Sequence, residues 1–463
     1  MSRSRAENLR GIAQLAWPVL VGQLAVVGFS TVDTVLVART SPQDLAALSV
    51  GAAAYVTIFI GMMGVVLAIG PIVGQLFGAG DRVQAGRQLH QAVWIALGLS
   101  LLGALLLLFP WPFLALAQAP AEVESRIRGY LVALAVALPA ALLMQAYRGF
   151  NVAISRPKAV MALQVSALLL KVPLSALLVF GWPALGLPAL GVLGCGVATA
   201  IVMWLQAAVA WAVLRHDPFY APFLLGGRGL DAPDRQAVGH QLRLGVPMGL
   251  SILVEVSGFS LMAVFIARLG VTAAAGHQIA ANLAAVMFMT PLALSSATMT
   301  LVSQRVGAGD GAAARRLGWH GMQFGLAVAV VMAAALGLGR GAVAGLYTGD
   351  TAILAVAVPL LAWVALFHVA DAAQAMAAFV LRAYRIATLP MLIYAGSLWG
   401  IGLGGGWWLV FVGWPAAPAA WRGPEGYWVA AAAGLTAAGL GLVALMAHTL
   451  RRSAGVRPAA GAG

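Results

Sequence analysis

Gln75-Leu-Phe-Gly-Ala-Gly-Asp81 recurs as Gln304-Arg-Val-Gly-Ala-Gly-Asp310, an offset of 229 residues. At the same offset Pro18 falls on Pro247, Arg39 on Arg268 and Arg87 on Arg316. Read locally, the phrase is a turn in which Gly ends one helix and Asp caps the next. Its duplication says more, because the collinear matches mark two homologous halves. Six long apolar stretches separate the copies, so the halves cross a bilayer in the same sense. That is a parallel repeat about an axis along the membrane normal, with a central cavity expected between the halves.

Composition fixes the solvent. Of 463 residues, 62% are hydrophobic and 9% charged, and the mean hydropathy is +0.93. A soluble domain carries about 25% charged residues, so a water-soluble enzyme, a disordered chain and a DNA-binding protein are all excluded. The gaps between charges mark the spans, each needing about 20 apolar residues. They fall at 11–38, 45–80, 88–121 and 129–147, then twice within 159–214, which Gly181 to Pro188 breaks in two. The second six fall at 244–267, 269–304, 317–339, 351–381, 386–421 and 426–450. The expected fold is therefore an all-α integral membrane protein, with twelve transmembrane helices in two six-helix lobes. The N-lobe covers 1–214, a cytoplasmic inter-lobe loop 215–243, and the C-lobe 244–463.

The net charge of +13 points to orientation rather than to nucleic acid. With the N-terminus inside, 20 of 27 basic residues fall on the termini and the cytoplasmic connections, Arg3, Arg228 and Arg457 among them. Six fall outside, and Lys171 lies within a span. The positive-inside rule then places both termini in the cytoplasm. Arg3, Arg5 and Arg10 resemble a signal-peptide n-region, but no small-residue cleavage site follows, so the first stretch reads as an uncleaved span. The lone Cys195 reads as a buried small residue rather than a reactive thiol.

Three of the 14 acidic residues lie inside spans: Asp33, Glu255 and Asp371. An acid at the bilayer centre costs about 2.5–3.5 kcal/mol on insertion scales, which makes it a functional candidate by default. Such a carboxylate either binds a cation or ties helices together, and Asp33 has a partner available for the second role in Lys171. Gln278 and Asn282, four apart on one helix face, either join helices or line a cavity. Met287 begins a soft apolar patch suited to varied ligands. We take Gln278, Asn282 and Met287 as the candidate substrate-facing residues. His90, His216, His240, His320 and His448 sit near span ends. No metal-ligand, phosphate-loop or nucleophile motif occurs, so neither an enzyme nor a bound cofactor is expected.

Several phrases together resemble one family. Leu15-Ala-Trp-Pro-Val-Leu-Val-Gly-Gln23 with Val32-Asp-Thr-Val-Leu-Val-Ala38 is similar to the first span of multidrug and toxic compound extrusion (MATE) transporters, in particular the NorM-like branch. Pro247-Met-Gly-Leu-Ser-Ile-Leu-Val-Glu-Val-Ser257, His277-Gln-Ile-Ala-Ala-Asn282, Tyr147-Arg-Gly-Phe-Asn151 and Asp371 fit the same pattern. The resemblance covers the chain to about Arg385; the last two spans match in hydropathy alone. It implies an H+- or Na+-coupled antiporter in the plasma (inner) membrane, exporting small organic cations or amphipathic drugs by alternating access. Glu255, Asp371 and Asp33 then handle the coupling cation, with Na+ a candidate at Glu255 and Asp371, and the protein acts as a monomer among membrane lipid. Three departures stand out: Lys171 and Ser175 replace the family's usual Asn residues, and Phe367 replaces a Tyr frequent in Na+-coupled members. A lipid-linked oligosaccharide flippase is the alternative, but it needs clustered cations for a pyrophosphate, and this core offers only Lys171. An intramembrane enzyme is a more distant one, since His277 and His368 have no evident partner set.

Overall fold

A computed structural model of the chain describes residues 4–117, 120–183, 186–226 and 229–453. Arg3, Arg228 and Arg457 lie outside the described residues. Among the described residues twelve helices are long and apolar enough to cross a membrane: α1 Arg5–Val37, α2 Pro42–Gly78, α3 Arg82–Ala115, α4 Ala121–Ala153, α5 Pro157–Phe180, α6 Val192–His216, α7 Arg235–Ala267, α8 Val271–Gly307, α9 Gly311–Gly345, α10 Thr351–Ala383, α11 Thr388–Val412 and α12 Pro424–Arg452. Each helix overlaps one of the apolar stretches of the sequence, with the ends shifted by a few residues in most of them. A helix bonds most of its own backbone internally, the condition for crossing hydrocarbon.

The duplicated phrase folds the same way twice. Gly80 and Gly309 take left-handed φ values of +82° and +74°, the conformation glycine adopts at no steric cost. The amide of Asp81 then bonds the carbonyl of Leu76, and that of Asp310 bonds Arg305, both at 3.0 Å, which closes the last turn of each helix. The carboxylates cap the next helices: Asp81 accepts from the Gln84 amide at 3.0 Å and Asp310 from the Ala313 amide at 2.8 Å.

Among the described residues three elements depart from plain α-helix, and in α3 the helix ends at Leu108 and restarts at Trp111. In α2 the helix ends at Val66 and restarts at Ile69. In α11 the backbone widens into π-helix over Ala395–Gly404 and Trp408–Val412, a run with six glycines between Gly396 and Gly406.

The chain divides into two compact units, Pro18–Gly249 (the N unit) and Met1–Trp17 with Leu250–Gly463 (the C unit). The inter-lobe segment lies within the N unit because its backbone is bonded there. Gln91 Nε2 donates to the Ala232 carbonyl at 3.1 Å, Gln91 Oε1 accepts from the Asp234 amide at 2.8 Å, and Trp94 Nε1 donates to the Asp231 carbonyl at 2.9 Å. The first helical turns belong to the C unit, where Asn8 Nδ2 is 3.0 Å from His320 Nδ1. Within the N unit, α4 is central and packs on α2, α3 and α6; within the C unit, α10 packs on α8, α9 and α12. These are the same neighbours six spans later.

Candidate functional site

In the C unit, α7 carries Glu255 to the wall of a cavity of about 30 Å³. Such a volume holds a water or two. Gly258, Phe259, Met262, Phe367, Gly402 and Leu403 are among the lining residues, and of the ten that line it only Glu255 has a side-chain oxygen. Phe259, Phe367 and Trp428 meet edge to face over this cavity, with ring centroids 5.4–6.2 Å apart. That arrangement is the favoured one for aromatic quadrupoles. Trp428 is fully buried and its indole N–H donates to His277 Nδ1 at 3.3 Å, which leaves the ring proton of His277 on Nε2.

Asp371 stands on α10 and is 4% exposed. Its Oδ1 accepts from Gln374 Nε2 at 2.8 Å, and Tyr394 O–H on α11 donates to Gln374 Oε1. The three side chains form a buried relay in which each member orients the next. Glu255 lies within electrostatic reach of both Asp371 and the buried Arg382, whose guanidinium sits 4.4 Å over the Phe379 ring. Asp371 and Arg382 are buried, whereas Glu255 is partly exposed. His368, one turn before Asp371, is buried with Nε2 unbonded.

The other C-unit candidates stand apart from this cavity. Gln278 and Asn282 are exposed on α8, and Asn282 Oδ1 accepts from Tyr347 O–H at 2.9 Å. Met287 is buried in the hydrophobic cluster of the unit. Ser257 donates to the Leu253 carbonyl of its own helix at 2.6 Å.

In the N unit, Asp33 on α1 meets Lys171 on α5, with Oδ1 and Nζ 3.0 Å apart. The ammonium is fully buried and bonds Thr199 Oγ1 on α6 at 2.6 Å, while the Phe29 ring centroid lies 5.4 Å from it. Cys195 is buried, and its thiol donates to Asp33 Oδ1 at 3.0 Å. Ser175, one turn beyond Lys171, is buried with its hydroxyl unbonded. Among the described residues no group of three or more His, Cys, Asp or Glu side chains forms a metal site.

The MatE family model matches residues 18–177 and 247–408, so its two matches begin at Pro18 and Pro247, 229 residues apart. The "Probable multidrug resistance protein NorM" of Aromatoleum aromaticum is 42% identical over 397 residues, 86% of this chain and 85% of that protein. The multidrug resistance protein PmpM of Pseudomonas aeruginosa is 35% identical, covering 97% of this chain and 93% of its own length. The chain belongs to the MatE family. A crystal structure of the Vibrio cholerae MATE transporter VcmN aligns with a TM-score of 0.83 over 97% of this chain and 98% of that one, at 20% identity, so the two share a fold. The chain is accordingly a multi-pass membrane protein of a transporter family and not an enzyme.

The phrase Tyr147 to Asn151 that helped to mark the family has a positional role here. Asn151 Nδ2 bonds the Tyr147 carbonyl at 2.9 Å, and its Oδ1 accepts from Tyr220 O–H at 2.5 Å. Phe150 packs edge-on against Phe223. The phrase therefore seats the Pro218–Phe223 turn, which Asp217 caps while pairing with Arg156 at 2.8 Å. Sequence reading left out Thr199, Gln374, Tyr394 and Arg382. Spacing signals two of them: Thr199 is one turn from Cys195, and Gln374 is three residues from Asp371.

Proposed function

We propose that this chain is an inner-membrane antiporter that exports small organic cations and amphipathic drugs by alternating access, driven by protons taken up at the C-unit carboxyls. The observation that carries the choice of ion is the Glu255 cavity, whose lining offers one side-chain oxygen. A hard metal cation is held by a shell of about six oxygens, whereas a proton needs one carboxyl. Phe367 adds no hydroxyl there, and it packs edge to face with Phe259 and Trp428. Multidrug relatives at 42% and 35% identity over most of their length support the substrate class.

Proton and substrate then weaken each other's binding by the same factor, as linkage requires. Asp371 is the second proton acceptor, positioned by Gln374 and Tyr394. Gln278 and Asn282 face the substrate path, Met287 supports it from the core, and no cofactor takes part. The distribution of basic residues puts both termini in the cytoplasm, and the protein works as a monomer. The test is substitution at the two acids: Glu255→Gln and Asp371→Asn lose gradient-driven efflux while inserting normally. Wild-type flux in both variants would remove the C unit from the coupling step.

A further inference from the structure

We propose that Lys171 is the resident cation of the N unit: its ammonium fills the place that an exchangeable ion would take at Asp33, so this carboxylate contributes no ion to the exchange. The inference rests on the antiport reading above and assigns its stoichiometry to the C unit alone. The site is complete without an ion from solution. Lys171 has three N–H donors; one is placed on Asp33 Oδ1 at 3.0 Å and one on Thr199 Oγ1 at 2.6 Å, and the face of Phe29 lies nearby. Thr199 is set up to accept, because its own proton is donated to the Cys195 carbonyl at 2.9 Å. Cys195 adds a donor to Asp33. Among the described residues, Tyr130 on α4 is a further titratable side chain within electrostatic reach of Asp33.

Charge then decides what the site does. Asp33 and Lys171 sum to zero, and Lys171 is 0% exposed. A proton or Na+ added at Asp33 would leave the ammonium uncompensated in a desolvated pocket, which is strongly unfavourable. An ordinary carboxylate binding site lacks this built-in ammonium and must draw its countercharge from solution. A cationic substrate reaches Asp33 only by displacing Lys171 from it, so this pair sets substrate selectivity without setting ion number. Neutralising Lys171 with Asp33 retained removes the countercharge and forces the carboxylate to take one ion.

The experiment counts ions released when the purified full-length protein in lipid nanodiscs binds tetraphenylphosphonium, with an indicator dye for H+ and radioactive Na+ for sodium. Lys171→Gln releases one more ion per bound probe than the parent protein, Lys171→Arg releases the parent number, and Asp33→Asn/Lys171→Gln returns to it. A parent number from Lys171→Gln overturns the assignment. Should Lys171→Gln fail to fold, the charge-neutral double variant still decides. Release at the parent number means that Asp33 exchanged no ion, and release of fewer means that it did and that the proposal is wrong. If the parent protein binds the probe and releases no ion at all, the antiport reading itself fails, independently of Lys171.

Discussion

The Asp33–Lys171 pair makes a quantitative demand on stability. At 3.0 Å and an effective dielectric constant of about 20, two unit charges attract by about 5.5 kcal/mol. Removing one partner leaves the other charge buried, at a cost of about 3–5 kcal/mol, whereas replacing both with well-packed apolar or neutral groups is close to neutral. Asp33→Asn and Lys171→Met are each expected to lose about 3–5 kcal/mol. Asp33→Asn/Lys171→Met is expected to lose less than either, so the coupling term in the cycle is at least about 3 kcal/mol. Methionine keeps the aliphatic stem that lies among Phe29 and Thr199, so the double variant opens no large cavity. Unfolding in mixed detergent and SDS micelles, followed by tryptophan fluorescence, measures all four corners. If the two single losses add to within about 0.5 kcal/mol in the double variant, the side chains do not act as a desolvated pair and the reasoning fails.

Four further outcomes follow from other parts of the molecule. Gly80→Ala and Gly309→Ala put a Cβ on a left-handed residue and each lower stability by about 1–2 kcal/mol, read in the same unfolding assay; no loss at either position would contradict the turn geometry. Trp428→Phe removes the donor to His277 and costs about 1–3 kcal/mol, with a matching change in the His277 ring resonances; unchanged resonances would mean the bond is absent. Phe367→Tyr places a hydroxyl in the edge-to-face cluster and costs about 1–3 kcal/mol as overpacking, read in the same unfolding assay; no loss would contradict the packing around the cavity. Asp217 lies outside the spans, and the Phe219 amide and the Arg156 guanidinium hold its carboxyl below the usual carboxylate range. A lowered folded value means that its contribution is full above the unfolded value of about pH 4 and is lost as pH falls below that through the lowered folded value. Exchange of the Phe219 amide, corrected for intrinsic rates, is therefore flat from about pH 7 to about pH 4 and accelerates below it, and Asp217→Asn abolishes that dependence; identical profiles would show that the cap does not hold the turn.

The parts of the fold that depend on one helix at a time were legible in the sequence. Charge-free stretches located all twelve spans, and the Gly-Ala-Gly-Asp phrase read as a helix end and a cap, which Gly80, Asp81, Gly309 and Asp310 are. A lysine inside a span needs a partner, so Asp33 was a candidate for Lys171 before any coordinates. What was illegible depends on register between helices. Tyr394 reaches Gln374 from twenty residues away, and Trp428 joins Phe259 and Phe367 from a different span. No periodicity in any one helix encodes such a meeting. Cys195 reads as a small buried residue and is one, yet its thiol direction, toward Asp33, follows from how α6 sits against α1. Arg382 counts as a cytoplasmic charge by position, while the structure buries it within reach of Glu255. The π-helical widening of α11 likewise depends on packing that glycine content permits without specifying.

The central claim is that proton uptake at the C-unit carboxyls drives the export of organic cations. Proteoliposomes loaded with a fluorescent organic cation and given a pH gradient or a Na+ gradient separately measure it most directly. The account predicts flux under the pH gradient alone, and loss of that flux in Glu255→Gln. Flux under the Na+ gradient alone would contradict the choice of ion, and flux under neither would contradict coupled antiport.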